Sequence, residues 1–96
     1  MSATETIFNS PQALAVDPYV QNGMTEDSII SVVLPKSTSA KGGVKILGGL
    51  IEKYGAGEGF GVAFSDRNEI WYLESACGHH WLAMRIPNNM YFVSAN

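Results

Sequence analysis

Residues 59–96 decide the fold, and they read GFGVAFSDRNEIWYLESACGHHWLAMRIPNNMYFVSAN. Short runs of β-branched and aromatic residues alternate here with clusters of turn-forming residues, which lie at 65–68, 76–78 and 87–89. This alternation is typical of an antiparallel meander. It predicts strands over about 59–65, 69–75, 80–86 and 90–95.

The composition of the chain indicates a small domain with an unusually apolar surface. The chain has 96 residues, of which 46% are hydrophobic and 16% charged, and its formal net charge is −3. This length suits one domain with a modest core. So few charges predict an apolar surface that needs a partner, and we expect a homo-oligomer or a piece of a larger protein. Lysine and arginine do not cluster, so no nucleic acid partner is expected.

Cysteine usage and the distribution of apolar residues predict a cytoplasmic location. A single cysteine, Cys77, excludes an internal disulfide and indicates a reducing compartment. No apolar run approaches the ~20 residues that span a bilayer, so no membrane partner is expected. The start MSATE lacks the basic residues that open a signal peptide.

The residues before the meander are predicted to cover it. Residues 1–9 are rich in threonine and alternate in polarity, which predicts a strand. Residues 10–24 contain two prolines and an Asn-Gly pair, and they are predicted to form an ordered loop. The apolar side chains expected to pin this loop to the surface are Leu14, Val16, Tyr19 and Val20.

Residues 25–54 are predicted to form two helices. Thr25 can cap the first, whose apolar face is Ile29, Ile30, Val33 and Leu34, and Pro35 ends or kinks it. The second is predicted to run from a cap within 37–39 to Tyr54, with Gly55 as its stop. Its apolar positions recur at intervals of three and four, and they are Val44, Leu47, Leu50, Ile51 and Tyr54.

Four glycines interrupt the second predicted helix, at 42, 43, 48 and 49. Each costs about 1 kcal/mol relative to alanine in a helix interior. Two interpretations are open: another helix or a sheet approaches closely at these positions, or the helix is weak and is held by packing.

Three motifs suggest chemistry but do not support it. His79 and His80 are adjacent, and adjacent strand residues face opposite sides, so no metal site is predicted. The glycine-rich run 55–61 follows a helix and enters a strand, which is the reverse of a phosphate-binding loop. Cys77 and His79 lie too close in a tight turn to act as nucleophile and base, so Cys77 is predicted to be a buried structural thiol. No cofactor is expected.

Several stretches point in a specific direction when they are taken together and in order. They are SATET at 2–6, EDS at 26–28, LIEKYG at 50–55, FSD at 64–66, EIWYLE at 69–74, GHHW at 78–81 and RIP at 85–87. This combination resembles bacterial dipeptidase A-type cysteine peptidases, which belong to the N-terminal-nucleophile (Ntn) hydrolases. The resemblance covers essentially the whole chain, and the WYLE and GHHW stretches are its most specific parts.

The resemblance implies an αββα sandwich, in which two antiparallel sheets are stacked between helical layers. The fold class expected is therefore α+β, with an antiparallel meander covered by two helices. The chain would form a single partial domain over 1–96, composed of a strand (1–9), a loop (10–24), helices (25–54) and the meander (59–96).

In this family the nucleophile is a cysteine exposed as the first residue after processing, and its own α-amino group is the general base. Here the chain begins with Met1 and its one cysteine is internal. The resemblance therefore implies an internal fragment that is inactive alone, from a parent enzyme whose substrate is a dipeptide. Removal of Met1 would expose Ser2 as a rival nucleophile. The alternative function is a non-catalytic domain that self-associates.

Resemblance to the wider Ntn amidohydrolases also implies site residues. The segment around Ser2–Glu5 would come from a strand beside the nucleophile, which makes Thr4 and Glu5 candidate substrate contacts. Asn96 closes a VSAN strand end and matches an oxyanion-stabilising position. An amide N–H aimed at a developing oxyanion is worth about 3–4 kcal/mol. The competing interpretation of Asn96 is a polar chain end without a role.

Overall fold

The computed structural model describes residues 1–4 and 8–89. The elements in this part of the chain are β1 (Ser2–Thr4), α1 (Pro11–Val16), α2 (Glu26–Val33), α3 (Ala40–Tyr54), β2 (Gly61–Ser65), β3 (Ile70–Ala76) and β4 (His80–Ile86). A single 3-10 turn over Leu34–Lys36 follows α2 directly. The protein is an α+β fold, as predicted.

The strands form one antiparallel sheet in the order β1-β2-β3-β4. The bounds of β2, β3 and β4 differ from the predicted ones by at most two residues. The strand predicted over 90–95 lies outside the described residues, and of the strand predicted over 1–9 the structure describes Ser2–Thr4. This sheet and its helices match one sheet and one helical layer of the αββα sandwich.

The helices α2 and α3 cover one face of the sheet and form the core with it. Residues alternate between the two faces along a strand, so Leu73 points towards the helices and its neighbours point away. Leu73 is completely buried. Residues of the helices and of the sheet form one hydrophobic cluster, which includes Ile29, Val33, Val44, Leu47, Ile51, Phe60, Val62, Phe64 and Leu73.

The glycines of α3 separate into two pairs. A Cβ at Gly43 would meet the ring of Phe64 at 2.6 Å, and a Cβ at Gly48 would overlap the indole of Trp81. These two glycines therefore let the sheet approach the helix, which confirms the first interpretation for them. Gly42 would meet the hydroxyl of its own cap, Ser39, and the space around Gly49 is open within 4 Å.

The helix ends follow the sequence signals closely. Ser39 caps α3, since its hydroxyl accepts a hydrogen bond from Gly42 N–H at 3.0 Å. Gly55 ends the helix with a φ of 88°, a backbone conformation that glycine adopts without strain. Pro35 follows the end of α2 and lies in the 3-10 turn. Among the described helices, none is both long and apolar enough to cross a bilayer.

The predicted apolar faces are correct in their centres and wrong at their edges. In α2, Ile29 and Val33 are completely buried, whereas Ile30 is 38% exposed and Leu34 is 50% exposed. In α3, Tyr54 was predicted to be part of the buried stripe but is 55% exposed. A helix packed on a flat sheet buries a narrow stripe, and residues at the ends and flanks of that stripe remain in solvent.

The segment 10–24 differs from the predicted loop. It contains α1, because Pro11 is suited to the first helical position and the Ser10 hydroxyl accepts a hydrogen bond from Ala13 N–H at 3.2 Å. The expected apolar anchoring is wrong for Val16, which is 87% exposed on a helix without a buried residue, whereas Leu14, Tyr19 and Val20 are half-buried. Polar side chains hold residues 9–17, and backbone hydrogen bonds of Val20 and Met24 to residues 55–57 hold the rest of this segment.

Candidate functional site

One end of the sheet brings together the last residue of β1 and the turn between β3 and β4. Thr4 pairs with Gly61, which in turn pairs with Glu74. β3 continues for two more residues to Ala76, and the turn follows. Two strand spacings and two residues of rise place the Cα atoms of Thr4 and Ala76 on the order of 12 Å apart.

Of the predicted site residues, Thr4 lies at this end of the sheet. Glu5 and Asn96 fall outside the described residues. The substrate contacts at Thr4 and Glu5 and the oxyanion role of Asn96 therefore remain predictions.

The β3–β4 turn (Cys77, Gly78 and His79) is fixed from two sides. Gly78 N–H donates to the Asp17 carbonyl at 3.0 Å, and the Gly78 carbonyl accepts from Ala56 N–H at 2.6 Å. Cys77 is buried and has a φ of 60°, in the left-handed region. A Cβ at Gly78 would overlap the carbonyl oxygen of Pro18, so only glycine fits there. The turn is therefore held rigidly between residues 17–18 and 56.

The carboxylate of Asp17 joins both histidines to this turn. Its Oδ1 lies 2.8 Å from His79 Nδ1, and its Oδ2 lies 2.7 Å from His80 Nδ1. The same Oδ2 accepts a hydrogen bond from His79 N–H at 2.7 Å. Because an ionised carboxylate can only accept, both Nδ1 atoms carry their protons. Both rings are thereby fixed in one tautomer, with Nε2 of each neutral ring as the acceptor.

Asp17 is an anion under neutral conditions. The hydrogen bond from the His79 ring is the main cause that lowers the pKa of Asp17 from its ordinary 3.8 to about 2. Burial of this side chain, which is 15% exposed, acts in the opposite direction and raises the pKa. His80 is much more open, with 74% of its side chain exposed.

Asn9 and Tyr19 complete this polar cluster. The Asn9 Oδ1 atom accepts hydrogen bonds from Cys77 N–H at 3.0 Å and from the Tyr19 hydroxyl at 2.7 Å. Burial is the main cause that raises the pKa of Tyr19, so this hydroxyl keeps its proton and remains a donor. The cluster Asn9, Asp17, Tyr19, His79 and His80 is referred to below as the turn cluster.

The chemistry available to the turn cluster is recognition and positioning. Within residues 1–4 and 8–89, no three His, Cys, Asp or Glu side chains are arranged to hold a metal ion. Both Nδ1 atoms are engaged by the carboxylate, which leaves Nε2 of the exposed His80 as a hydrogen-bonding group. A groove of about 300 Å³ lies beside it, and it is lined by Ala13, Val16, Asp17, Ala76, Cys77 and His80.

Sequence reasoning missed the role of Asp17 and Asn9. His79 lies in the turn and His80 is the first residue of β4, so the rule that adjacent strand residues point to opposite faces does not apply to them. Their shared partner is separated by 62 and 63 residues in sequence, and no local pattern predicts such a contact. The signals available were two polar residues, Asn9 and Asp17, immediately before Ser10-Pro11 and Pro18.

The fold and the sequence together define the class of this protein. The chain matches the Peptidase family C69 over residues 1–96, and it belongs to this family. It is 64% identical over 97 residues to a "Probable dipeptidase" of Salmonella dublin, covering 100% of the chain and 22% of that protein. It is 49% identical over 96 residues to a "Probable dipeptidase" of Latilactobacillus sakei, covering 100% of the chain and 20% of that protein.

A further relative is "Dipeptidase A" of Lactobacillus helveticus, which is 46% identical over 99 residues, covering 100% of the chain and 21% of that protein. The chain thus spans about a fifth of the length of the curated relatives that it matches. The resemblance predicted from the sequence is confirmed at the level of the family.

Proposed function

We propose that this chain is part of a dipeptidase that hydrolyses the amide bond of dipeptides with an N-terminal cysteine nucleophile. The observation that carries the proposal is the 64% identity, across the whole chain, to a protein named "Probable dipeptidase". Membership of the Peptidase family C69 supports the same reaction class. Because the chain spans about a fifth of these relatives, the activity would belong to a larger protein.

The proposed mechanism uses a cysteine outside these 96 residues. Its thiol attacks the carbonyl carbon of the peptide bond, and its α-amino group takes the thiol proton and passes it to the leaving amine as the C–N bond breaks. A water molecule then hydrolyses the resulting thioester, which releases the acid product and restores the thiol. The side-chain amide of Asn96 donates a hydrogen bond to the oxyanion that forms. Thr4 and Glu5 contact the substrate. The position of Thr4 at the sheet end that also carries the turn cluster supports a site at this end.

Cys77 does not take the role of the nucleophile in this proposal. It is 7% exposed and lies inside a tight turn. Its α-nitrogen belongs to a peptide bond, and this N–H donates a hydrogen bond to the Asn9 side chain. The chain alone is therefore expected to be inactive. Ser2, the rival nucleophile after removal of Met1, lies in β1 opposite Ala63. Serine-dependent hydrolysis by the isolated chain, abolished by Ser2→Ala, would contradict the proposal.

A chimaera tests the proposed function. The chain replaces the matching 97-residue stretch of the Salmonella dublin relative, and hydrolysis of Leu-Ala is measured for the chimaera and for the chain alone. We expect the chimaera to hydrolyse the dipeptide and the chain to be inactive. A folded chimaera without activity, beside an active parent relative, would overturn the proposal.

Variants of the chimaera test the proposed residues. Asn96→Ala is expected to lower kcat roughly 100- to 1,000-fold, as the loss of one oxyanion donor does in comparable sites. Thr4→Ala and Glu5→Ala are expected to raise KM. Asn68→Ala is the matched control, since Asn68 lies in the exposed turn between β2 and β3 at the opposite end of the sheet. Equal activity of the Asn96 and Asn68 variants would exclude the oxyanion role.

One observation favours a second function, self-association of a non-catalytic domain. Ile70, Leu82 and Met84 are 47%, 57% and 51% exposed, and they lie on the sheet face opposite the helices. Apolar residues grouped on one face mark interaction surfaces more often than scattered ones do. A homo-oligomer formed through this face, in the cytoplasm, remains our proposal.

A further inference from the structure

Residues 9–17 lie against the β3–β4 turn without a fully buried apolar side chain. This segment contains α1, which has no buried residue, and Val16 on it is 87% exposed. Segments with few buried apolar contacts open with small free energies, independently of the rest of a fold. Hydrogen bonds must therefore supply most of what holds this segment, and we refer to residues 9–17 as the strap.

The strap is attached at its two ends, and both ends bind the same turn. Asn9 at one end accepts from Cys77 N–H. Asp17 at the other end accepts from Gly78 N–H with its carbonyl and from His79 N–H with its carboxylate. Three successive backbone N–H groups of one turn thus donate to the strap. Beyond it, Val20 N–H donates to the Ala56 carbonyl at 2.8 Å, which anchors the chain to the body of the domain.

The docked strap also forms one wall of the 300 Å³ groove. Ala13 and Val16 of α1 face Ala76, Cys77 and His80 of the hairpin across it. The groove keeps this shape only while α1 is docked. The strap also borders Cys77, which is 7% exposed.

We propose that residues 9–17 form a strap that opens as one unit when the hydrogen bonds of Asn9 and Asp17 to the turn are broken, and that opening removes one wall of the groove and exposes the Cys77 thiol. The two anchors are coupled because α1 joins them and because they bind adjacent residues of one turn, so releasing one weakens the other. The strap lies at the end of the sheet where β1 ends. The strap therefore lies at the same end of the sheet as Thr4, the substrate contact of the proposed function on which this placement rests.

Amide hydrogen exchange on the 96-residue chain at neutral pH tests the unit opening. In Asp17→Asn, we expect roughly tenfold or faster exchange of the Gly78 and His79 amides and also of the Cys77 amide, whose acceptor is Asn9. In the reciprocal variant Asn9→Ala, the His79 amide should exchange faster. Asp27→Asn changes an exposed aspartate of α2 away from the strap, and it should leave all three amides unchanged.

Two outcomes would overturn the proposal. If Asp17→Asn affects the His79 amide but not the Cys77 amide, the two anchors open separately. If it accelerates the Leu73 amide of the central strand by the same factor, the whole domain unfolds and no separate strap exists. Asn9→Ala provides the same test should the Asp17 variant fail to fold.

Alkylation of Cys77 by iodoacetamide gives a second readout, which does not depend on hydrolysis of any substrate. We expect Asp17→Asn to raise the native labelling rate roughly tenfold over the unchanged protein and over Asp27→Asn. If the turn amides of the variant exchange faster but the labelling rate is unchanged, the proposal that opening exposes the Cys77 thiol is wrong. If the strap of the 96-residue chain opens as one unit but the chimaera is inactive, only the proposed function is refuted. If the chimaera is active but the two anchors open separately, only the strap is refuted.

Discussion

Gly48 of α3 lies directly against the indole ring of Trp81 in β4, and a Cβ at this position would overlap ring atoms Cε2 and Cζ2. This contact is the reason for an otherwise unfavourable residue in the helix interior. We expect Gly48→Ala to destabilise the fold by about 1–3 kcal/mol, because the ring or the helix must move to admit the methyl group. Urea unfolding followed by tryptophan fluorescence measures the change.

Gly49 offers a matched control on the adjacent residue of the same helix. The space around it is open within 4 Å, so an alanine there meets no neighbour. Gly49→Ala should gain up to about 1 kcal/mol from helix propensity. If both variants change stability in the same direction, the close approach of Trp81 does not determine the choice of glycine at 48.

The carboxylate of Asp66 links the β2–β3 turn to the start of α3. One oxygen accepts from Ala40 N–H at 2.7 Å, and the other accepts from Asn68 N–H at 2.7 Å and Glu69 N–H at 2.8 Å. These three hydrogen bonds lower the pKa of Asp66, and the one from Ala40 N–H has the largest effect. We expect Asp66→Asn to lower the melting temperature, because an amide offers one acceptor oxygen instead of two. Thermal unfolding by circular dichroism measures this.

The matched control is Asp27→Asn in the first turn of α2, which is exposed. It should lower the melting temperature less than the Asp66 variant does. Stability that depends on Asp66 is present above its unfolded-state pKa and is lost as the pH falls through its lower folded-state value. If the Asp66→Asn chain is as stable as the unchanged protein at pH 7, the Ser39 hydroxyl is sufficient to cap α3 without the Asp66 carboxylate.

The low pKa of Asp17 predicts that a second part of the folding stability is lost in acid. Its pKa falls from 3.8 to about 2 on folding, chiefly through the His79 hydrogen bond, so its contribution is complete above about pH 4. It is lost as the pH falls towards 2. Since hydrogen bonds to charged groups are worth about 1.5–3 kcal/mol each, we expect Asp17→Asn to cost about 1–3 kcal/mol at pH 7.

Urea unfolding of both proteins between pH 6 and pH 2.5 measures this dependence. The stability difference between the unchanged protein and Asp17→Asn should shrink as the pH falls below 4. A difference that stays constant over this range would show that the charge of Asp17 does not stabilise the fold.

The parts of the fold that could be predicted from the sequence are those set by local patterns. Gly55, Pro35 and the serines near 39 mark helix ends through backbone geometry that each residue imposes by itself. The strands β2, β3 and β4 of the meander were predicted to within two residues because turn residues separate them. The buried centres of both helices, such as Ile29 and Leu47, follow from helical periodicity.

Contacts between distant residues could not be predicted in this way. Asp17 meets His79 and His80 across more than sixty residues, and which of several polar loop residues does so depends on how the finished sheet places the turn. Val16 was predicted to be an anchor because it is apolar, but the partners of its segment are backbone N–H groups, which carry no sequence signal. The family resemblance was found from motifs, whereas the proposed site residues Glu5 and Asn96 lie outside the described residues.

The sheet face opposite α3 predicts self-association. Leu82 and Met84 alternate with Ala83, which packs on the core, so both point away from the helices, and they are 57% and 51% exposed. A two-fold dimer that pairs these faces would bury them. Burial of one leucine is worth about 1.5–3 kcal/mol, so Leu82→Glu should weaken the dimer roughly tenfold or more. Sedimentation equilibrium over a wide concentration range measures the dissociation constant.

Leu34→Glu is the matched control, because Leu34 is 50% exposed but lies in the 3-10 turn after α2. If the dimer forms through the sheet face, this variant associates like the unchanged chain, since the glutamate is placed outside the interface. Equal weakening by both substitutions would point to non-specific association through scattered apolar side chains. A chain that stays monomeric at high concentration and binds no dye specific for apolar surfaces would show that Leu82 and Met84 need no cover, and self-association would then be excluded.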